Sequence, residues 1–308
     1  MKTTMLRVFT ALAILAPLLV ACTADGGERT GIVVTTNILG DLTRAITGDT
    51  TEVTVLMGPN ADPHSFAVSA QQAAKLDRAA LVVHNGLGLE EGVARHVSAA
   101  QSAGVPTLAV GEHVDPISYT SDESAGRPDP HFWTDPQRVR AAVRTIAAAI
   151  IEHVGGIDET AIRANTDRYL TELDQLDHWV AEQFAGIPAE RRKLVTNHHV
   201  FGYLAQRFGF QVVGAVIPSG TTLASPSSSD LRSLSDAIRT AGVGAIFVDS
   251  SQPDKLARVL ADQAGVRVQV IALHTESLTA PGGGAATFLD MTRANTTAIV
   301  RGLTAPNP

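Results

Sequence analysis

Cysteine is almost absent from this chain, and no apolar run near its start is long enough to cross a membrane. Cys22 is the only cysteine among 308 residues, so no intramolecular disulfide is possible. The apolar stretch over residues 8–20 falls short of the roughly 20 residues that a membrane-spanning helix needs. The chain has 44% hydrophobic residues and enough length for two domains, so it should fold as a soluble globular protein.

Positive charge is also in short supply. The chain has 24 basic and 31 acidic residues and a formal net charge of −7, and losing Lys2 and Arg7 with a leader would make it more negative. This balance argues against nucleic acid as a partner and suits a protein that attracts cations weakly. The motif His-Glu-x-x-His is absent too, so the helix-borne ligand pair of many zinc hydrolases is missing.

The first 30 residues predict export and lipid anchoring. Residues 1–21 combine two basic residues with the apolar run, which predicts a signal peptide. Its end, Leu19-Val20-Ala21 directly before Cys22, resembles a bacterial lipobox. We therefore expect a lipidated Cys22, a polar tether over residues 22–30, and a protein held at the extracytoplasmic face of the cell membrane.

The rest of the chain alternates short apolar runs with amphipathic ones, which predicts an α/β fold of two lobes. Each lobe should hold a mostly parallel four-stranded sheet flanked by helices, and one long rigid interlobe helix should join them. We expect an N-terminal lobe over 31–155, the interlobe helix over 156–187 and a C-terminal lobe over 188–308. The predicted strands are 31–38, 51–57, 80–86, 106–111, 193–198, 210–217, 245–250 and 268–274.

Several histidines and a glutamate follow predicted strands. Asp-Pro-His occurs twice, ending at His64 and His131, and the proline holds each histidine on a stiff, extended backbone. His198 ends the first strand of the second half, and Glu276 follows the last strand. In two α/β lobes these positions face one cleft, and three imidazoles with a carboxylate suit a tetrahedral zinc ion.

Five segments resemble those of a known family. They are DPHSF (62–66, which contains His64), NGLGLE (85–90), DPHFWTDP (129–136), HHVFGYLAQRFG (198–209) and FVDSSQPDKLARVLADQAGV (247–266). The chain resembles the zinc/manganese substrate-binding lipoproteins of ABC transporters, the TroA-like or cluster A-I family, over nearly all of residues 31–305. The resemblance implies an importer's metal-binding component, with an ABC permease and its cytoplasmic ATPase as partners.

The same resemblance implies a ligand set of His64, His131, His198 and Glu276. His198 is preferred to His199 because the family's ligand stands three residues before the aromatic residue, here Phe201. Glu276 departs from the family, which more often has aspartate there. Asp249 is the alternative acidic ligand, although we expect both Asp249 and His199 to support the site without binding the metal.

The expected cargo is Zn²⁺, with Mn²⁺ as the alternative, because nitrogen-rich sites favour zinc. We expect a monomer that is not an enzyme and that releases its metal on acidification, as free imidazole titrates near ~6.5. Two other functions stay open: a secreted zinc-dependent hydrolase, and a metal-binding adhesin or chaperone lipoprotein without a transport partner. A fourth protein ligand argues against the hydrolase, which needs an open coordination position for water.

Overall fold

The structure is a computed structural model that describes residues 29–264 and 268–305. The expected signal peptide, the lipidated Cys22 and most of the tether lie outside the described residues. Among the described helices, none combines the length and the apolar character needed to cross a membrane.

Two four-stranded parallel sheets form the centre of the two lobes, as predicted. The strands are β1 (Ile32–Val34), β2 (Val53–Val55), β3 (Leu81–His84), β4 (Thr107–Ala109), β5 (Lys193–Thr196), β6 (Gln211–Ala215), β7 (Ala245–Asp249) and β8 (Gln269–Leu273). Their orders are β2-β1-β3-β4 and β6-β5-β7-β8. Both sheets therefore change the direction of strand addition beside their first strand, and a crevice opens at the carboxyl ends there.

Helices cover the sheets and connect their strands. They are α1 (Asn37–Thr47), α2 (Ala70–Leu76), α3 (Glu91–Ser102), α4 (Pro136–His153), α5 (Glu159–Ala185), α6 (Gly202–Phe208), α7 (Ser228–Ala241), α8 (Lys255–Gln263) and α9 (Phe288–Thr304). The first strand is shorter than the predicted 31–38, because the Thr36 hydroxyl accepts a hydrogen bond from the Leu39 N–H and starts α1.

The long helix predicted over 156–187 is α5, with 27 residues. The Asp158 side chain caps its start by accepting a hydrogen bond from the Ala161 N–H, and the helix ends at Gly186. Its buried side chains recur at three- and four-residue steps, as an amphipathic helix requires. These are Ile162, Thr166, Tyr169, Leu170, Leu173, Leu176, Asp177, Val180 and Phe184.

The largest apolar core is shared by both lobes. It joins Val143 of α4, Leu173 of α5 and Phe288 of α9 in one cluster, so α5 packs against elements from both halves of the chain. The opposite face of each sheet has a smaller core of its own, which contains Val82 in the first lobe and Ile246 in the second. A core that continues through both lobes opposes large independent movements of either one.

Candidate metal centre

Four side chains from four separate loops meet between the lobes: His64, His131, His198 and Glu276. Each offers one ligand atom, and these atoms all lie within 4.8 Å of one another. Each of the four residues is 1% exposed or less. They are the four residues that the sequence predicts as ligands.

Each of these side chains lies beyond the carboxyl end of a strand. His64 is in the connection after β2, and His131 ends the long connection after β4. His198 follows β5 by two residues, and Glu276 follows β8 by three. Because parallel strands point the same way, each lobe contributes two side chains to the cleft between them.

The spacing of the four groups suits a small cation. His131 Nε2 lies 3.3 Å from His64 Nε2 and 3.6 Å from Glu276 Oε1. Glu276 Oε1 is 3.1 Å from His198 Nε2, and Glu276 Oε2 is 3.9 Å from His64 Nε2. Ligands of a tetrahedral cation bound at about 2.0–2.1 Å are separated by about 3.3–3.4 Å, so these atoms are spaced closely enough to hold one cation together.

Several buried polar atoms of the site have no hydrogen-bond partner among the described residues. Within the described residues, both carboxylate oxygens of Glu276 and both ring nitrogens of His198 are buried without a hydrogen bond. The contact between His198 Nε2 and Glu276 Oε1 does not have hydrogen-bond geometry. Burying polar groups unpaired costs free energy, and a bound cation would satisfy the carboxylate and the imidazole together.

Burial keeps the three imidazoles neutral. It lowers the pKa of His64 to about 2, with His131 and His198 adding to the effect. Burial also lowers the pKa of His198 to about 4 and that of His131 well below its usual value. Neutral rings have a lone pair free for a metal at all but strongly acidic pH, so the value near ~6.5 for free imidazole does not apply to this site.

The carboxyl group has the opposite shift. Burial raises the pKa of Glu276 well above its usual value, and the nearby charges of Asp249, Asp62 and Asp129 raise it further. Burial therefore favours the protonated form of this carboxyl group in the metal-free protein, and a bound cation would favour the carboxylate.

Asp129 orients the ring of His131. Its Oδ1 accepts the His131 backbone N–H at 2.9 Å and lies 2.7 Å from the ring Nδ1. A protonated Nδ1 leaves the Nε2 lone pair directed at the other ligands, as in many zinc sites. The hydroxyl of Tyr119 lies 3.1 Å from the same Nδ1. Burial raises the pKa of Asp129 to about 7.

Asp249 and His199 stand beside the four-residue group and not in it. Asp249 Oδ2 accepts the backbone N–H groups of Thr275 at 3.0 Å and Glu276 at 3.2 Å. Asp249 thereby holds the segment that carries Glu276. His199 is not among the four grouped residues, and its Nε2 contacts Asp122 Oδ2 at 2.6 Å.

The buried Glu90 was not predicted from the sequence to have a role. It supports His131 through Asn85. Glu90, the last residue of the quoted NGLGLE segment, accepts hydrogen bonds from the Thr35 hydroxyl at 2.6 Å and the Asn85 N–H at 2.7 Å. The Asn85 amide in turn donates to the Pro130 carbonyl at 3.0 Å, directly before His131. The sequence shows the NGLGLE segment, but the hydrogen bond from Asn85 to the Pro130 carbonyl joins residues that are far apart in the sequence.

Comparison with known proteins identifies the family of this chain. The model of the family described as zinc-uptake complex component A, periplasmic (ZnuA), matches residues 32–302. The chain belongs to this family. The ZnuA family thus accounts for both lobes and for the helix that joins them.

Curated relatives of this ZnuA-family chain are named for three different metals. The zinc-binding protein TroA of Treponema pallidum is 30% identical, over 91% of this chain and 90% of its own length. The manganese-binding lipoprotein MntA of Halalkalibacterium halodurans is 27% identical, over 91% of each chain. The iron-binding protein YfeA of Yersinia pestis is 26% identical, over 91% of this chain and 88% of its own.

Solved structures share the fold. The periplasmic zinc binding protein TroA from Treponema pallidum superimposes with a TM-score of 0.83 at 28% identity, covering 90% of this chain and 100% of that one. The manganese-bound periplasmic metal binding protein from Candidatus Liberibacter asiaticus gives a TM-score of 0.77 at 27% identity, covering 89% and 99%. Similar architectures are therefore found in proteins described with different metals.

Proposed function

We propose that this protein captures Zn²⁺ outside the cytoplasm and delivers it to an ABC permease powered by a cytoplasmic ATPase. His64, His131, His198 and Glu276 bind the ion in the cleft between the lobes. The observation that carries this proposal is the meeting of four buried ligand groups, in which the side chains of Glu276 and His198 have no hydrogen bond to any described residue. Membership of the ZnuA family supports the transport role.

Zinc is the proposed cargo, with manganese as the alternative. Three imidazole nitrogens and one carboxylate form a nitrogen-rich set, and such sets bind zinc more tightly than manganese. Tetrahedral spacing also suits zinc, which is commonly four-coordinate. Relatives named for manganese and iron make the metal a question for direct measurement.

Transport fits the site better than catalysis. A hydrolytic zinc centre keeps a coordination position for water, whereas here a fourth protein side chain occupies the tetrahedron. All four side chains are almost completely buried, which suits retention of an ion more than access of a substrate.

The proposal includes the arrangement of the chain. After removal of residues 1–21, a lipid on Cys22 holds the protein at the extracytoplasmic face, and residues 22–30 act as the tether. Lobes over 31–155 and 188–308, joined by the helix segment 156–187, work as a monomer beside the permease. Membrane fractionation of cells producing the wild type and Cys22→Ser tests the anchor, because only the wild type should stay with the membranes.

Chelator competition tests the metal. Metal-free mature protein is titrated with Zn²⁺ and with Mn²⁺ against a chromophoric chelator, and one tight equivalent of zinc is expected. Two or more weak equivalents, or hydrolysis of a chromogenic ester by the zinc-loaded protein, would contradict the proposal. In cells, deletion of the protein should lower zinc uptake, and supplying the wild-type chain should restore it.

A further inference from the structure

The carboxylate of Asp62 connects the two lobes beside the metal centre. Within its own lobe, its Oδ1 accepts the His64 N–H at 2.9 Å and its Oδ2 accepts the Ser65 hydroxyl at 3.0 Å. From the C-terminal lobe, the Thr222 hydroxyl donates to the same Oδ2 at 2.6 Å, and the Gln252 amide donates at 3.0 Å. Four donors from both lobes thus converge on one buried carboxylate.

Thr222 and Gln252 reach Asp62 from different loops. Thr222 lies between β6 and α7, and Gln252 lies between β7 and α8. Neither side chain belongs to the four-residue metal group. The two contacts depend on the position of the whole C-terminal sheet, because both loops extend from the carboxyl ends of its strands.

Glu276 is joined to the N-terminal lobe by other bonds. The Leu278 N–H donates to Asn37 Oδ1 at 3.0 Å, and the Asn60 N–H donates to the Leu278 carbonyl at 2.9 Å. The Trp133 indole donates to the Thr275 carbonyl at 2.8 Å. The segment with Glu276 is therefore fastened to the first lobe independently of Asp62, and the contacts of Thr222 and Gln252 form a separate connection across the cleft.

Hydrogen bonds to a carboxylate are strong and directional, so these two form only when the lobes are in register. The same carboxylate fixes the backbone of His64, which binds to its other oxygen. The register of the lobes and the position of His64 are consequently linked, and whatever favours one favours the other.

We propose that Thr222 and Gln252 are positioning residues for metal retention. Together with Asp62 they form an interlobe latch, which holds His64 in place by fixing the register of the two lobes beside the metal centre. The latch deepens the proposed function and rests on it, since it controls how fast the captured ion leaves.

Release kinetics test the latch. Zinc-loaded wild type, Thr222→Val, Gln252→Leu and the double variant are mixed with excess chelator, and the zinc dissociation rate is followed by stopped flow. We expect the double variant to release zinc about tenfold faster, or more, because each lost bond to a carboxylate is a sizeable loss. Thr222→Ser keeps the hydroxyl and should keep the wild-type rate.

Thr221→Val is the matched control, since the Thr221 hydroxyl lies in the same loop and accepts the Leu223 N–H, and among the described residues it has no hydrogen bond to Asp62. Its release rate should equal that of the wild type. A double variant that melts at a lower temperature without metal, yet releases zinc at the wild-type rate, would show a purely structural contact and overturn the latch. Failure of the unmodified protein to take up zinc would overturn the proposed function instead, before any variant is compared.

Discussion

The two Asp-Pro-His segments have the same sequence and the same local geometry but different surroundings. In each, the aspartate Oδ1 accepts the N–H of the histidine two residues later, at 2.9 Å. Asp129 uses that oxygen again to contact the ring of His131. Asp62 uses its second oxygen to accept hydrogen bonds from Thr222 and Gln252 of the other lobe.

The difference shows that one tripeptide can serve two purposes. The proline and the aspartate turn set the backbone of each histidine locally. The other hydrogen-bond acceptor positions of each carboxylate bind the donors that the fold brings close to them. Asp129 thereby orients the ring of His131, and Asp62 joins the two lobes.

The largest expected effect on zinc affinity is the same for the two Asp-Pro-His segments. His64→Ala and His131→Ala each remove one of four ligands, so each should weaken zinc binding by more than the roughly 10–100-fold that loss of a supporting residue causes. Chelator competition measures this. His178→Ala is the control, because its side chain is 78% exposed on α5. Tight zinc binding by either site variant would remove that histidine from the ligand set.

The next largest effect should differ between the two aspartates, Asp129 and Asp62. Asp129→Asn should weaken zinc binding by about 10–100-fold, because the amide supports the ring nitrogen of His131 less well than a carboxylate does. Asp62→Asn should weaken equilibrium binding less and should mainly raise the dissociation rate. Paired affinity and stopped-flow measurements compare the two variants. Equal changes in both quantities would mean that the two aspartates do the same work.

The pH dependence of binding gives a third, smaller effect. Glu276 has a raised pKa and the histidines have lowered ones, so any protons that zinc binding releases should come from Glu276 and not from the imidazoles. Affinity should fall as pH decreases, and the histidines should contribute only near pH 4 and below. Calorimetry in buffers of different ionisation enthalpy counts the protons. Asp129→Asn removes a group with a pKa of about 7 and should flatten the profile there. Proton release that rises as the pH falls through ~6.5, with a loss of affinity centred there, would mean that the imidazoles titrate like free histidine.

The smallest expected effect concerns Asp158, which caps α5 and does not belong to the metal group. Asp158→Ala removes the cap of α5 and should lower the free energy of unfolding by about 1 kcal/mol. Denaturant melts of the metal-free protein measure this change. Zinc affinity should stay at the wild-type value, in contrast to Asp62→Asn and Asp129→Asn, and a change in affinity would show that α5 transmits strain to the cleft.

Much of the fold could be predicted because its signals are local. Eight apolar runs became the eight described strands, and Asp158 and Gly186 bound the long helix that the sequence predicts over 156–187. Strand ends were less predictable, because a cap such as Thr36 competes with strand extension. The four site residues were named from motifs and a family resemblance, while their supporting groups were not, because Glu90 and Asn85 act through contacts with residues far away in sequence.

The sequence by itself determined the alternation of strands and helices and the long amphipathic α5, because each depends on neighbours within a few residues. The extended backbone predicted at the two histidines was wrong: His64 lies in a turn, where the Phe66 N–H donates to the Asp62 carbonyl at 3.0 Å, and His131 has φ −85° and ψ 43°. Only the tertiary structure decided that four side chains from distant loops meet within 4.8 Å, and that Asp62 and Asp129 take different partners. The physical reason is that burial and hydrogen bonding between lobes depend on how the sheets pack against α5. The same packing removes water from the site and shifts the pKa values of its ligands.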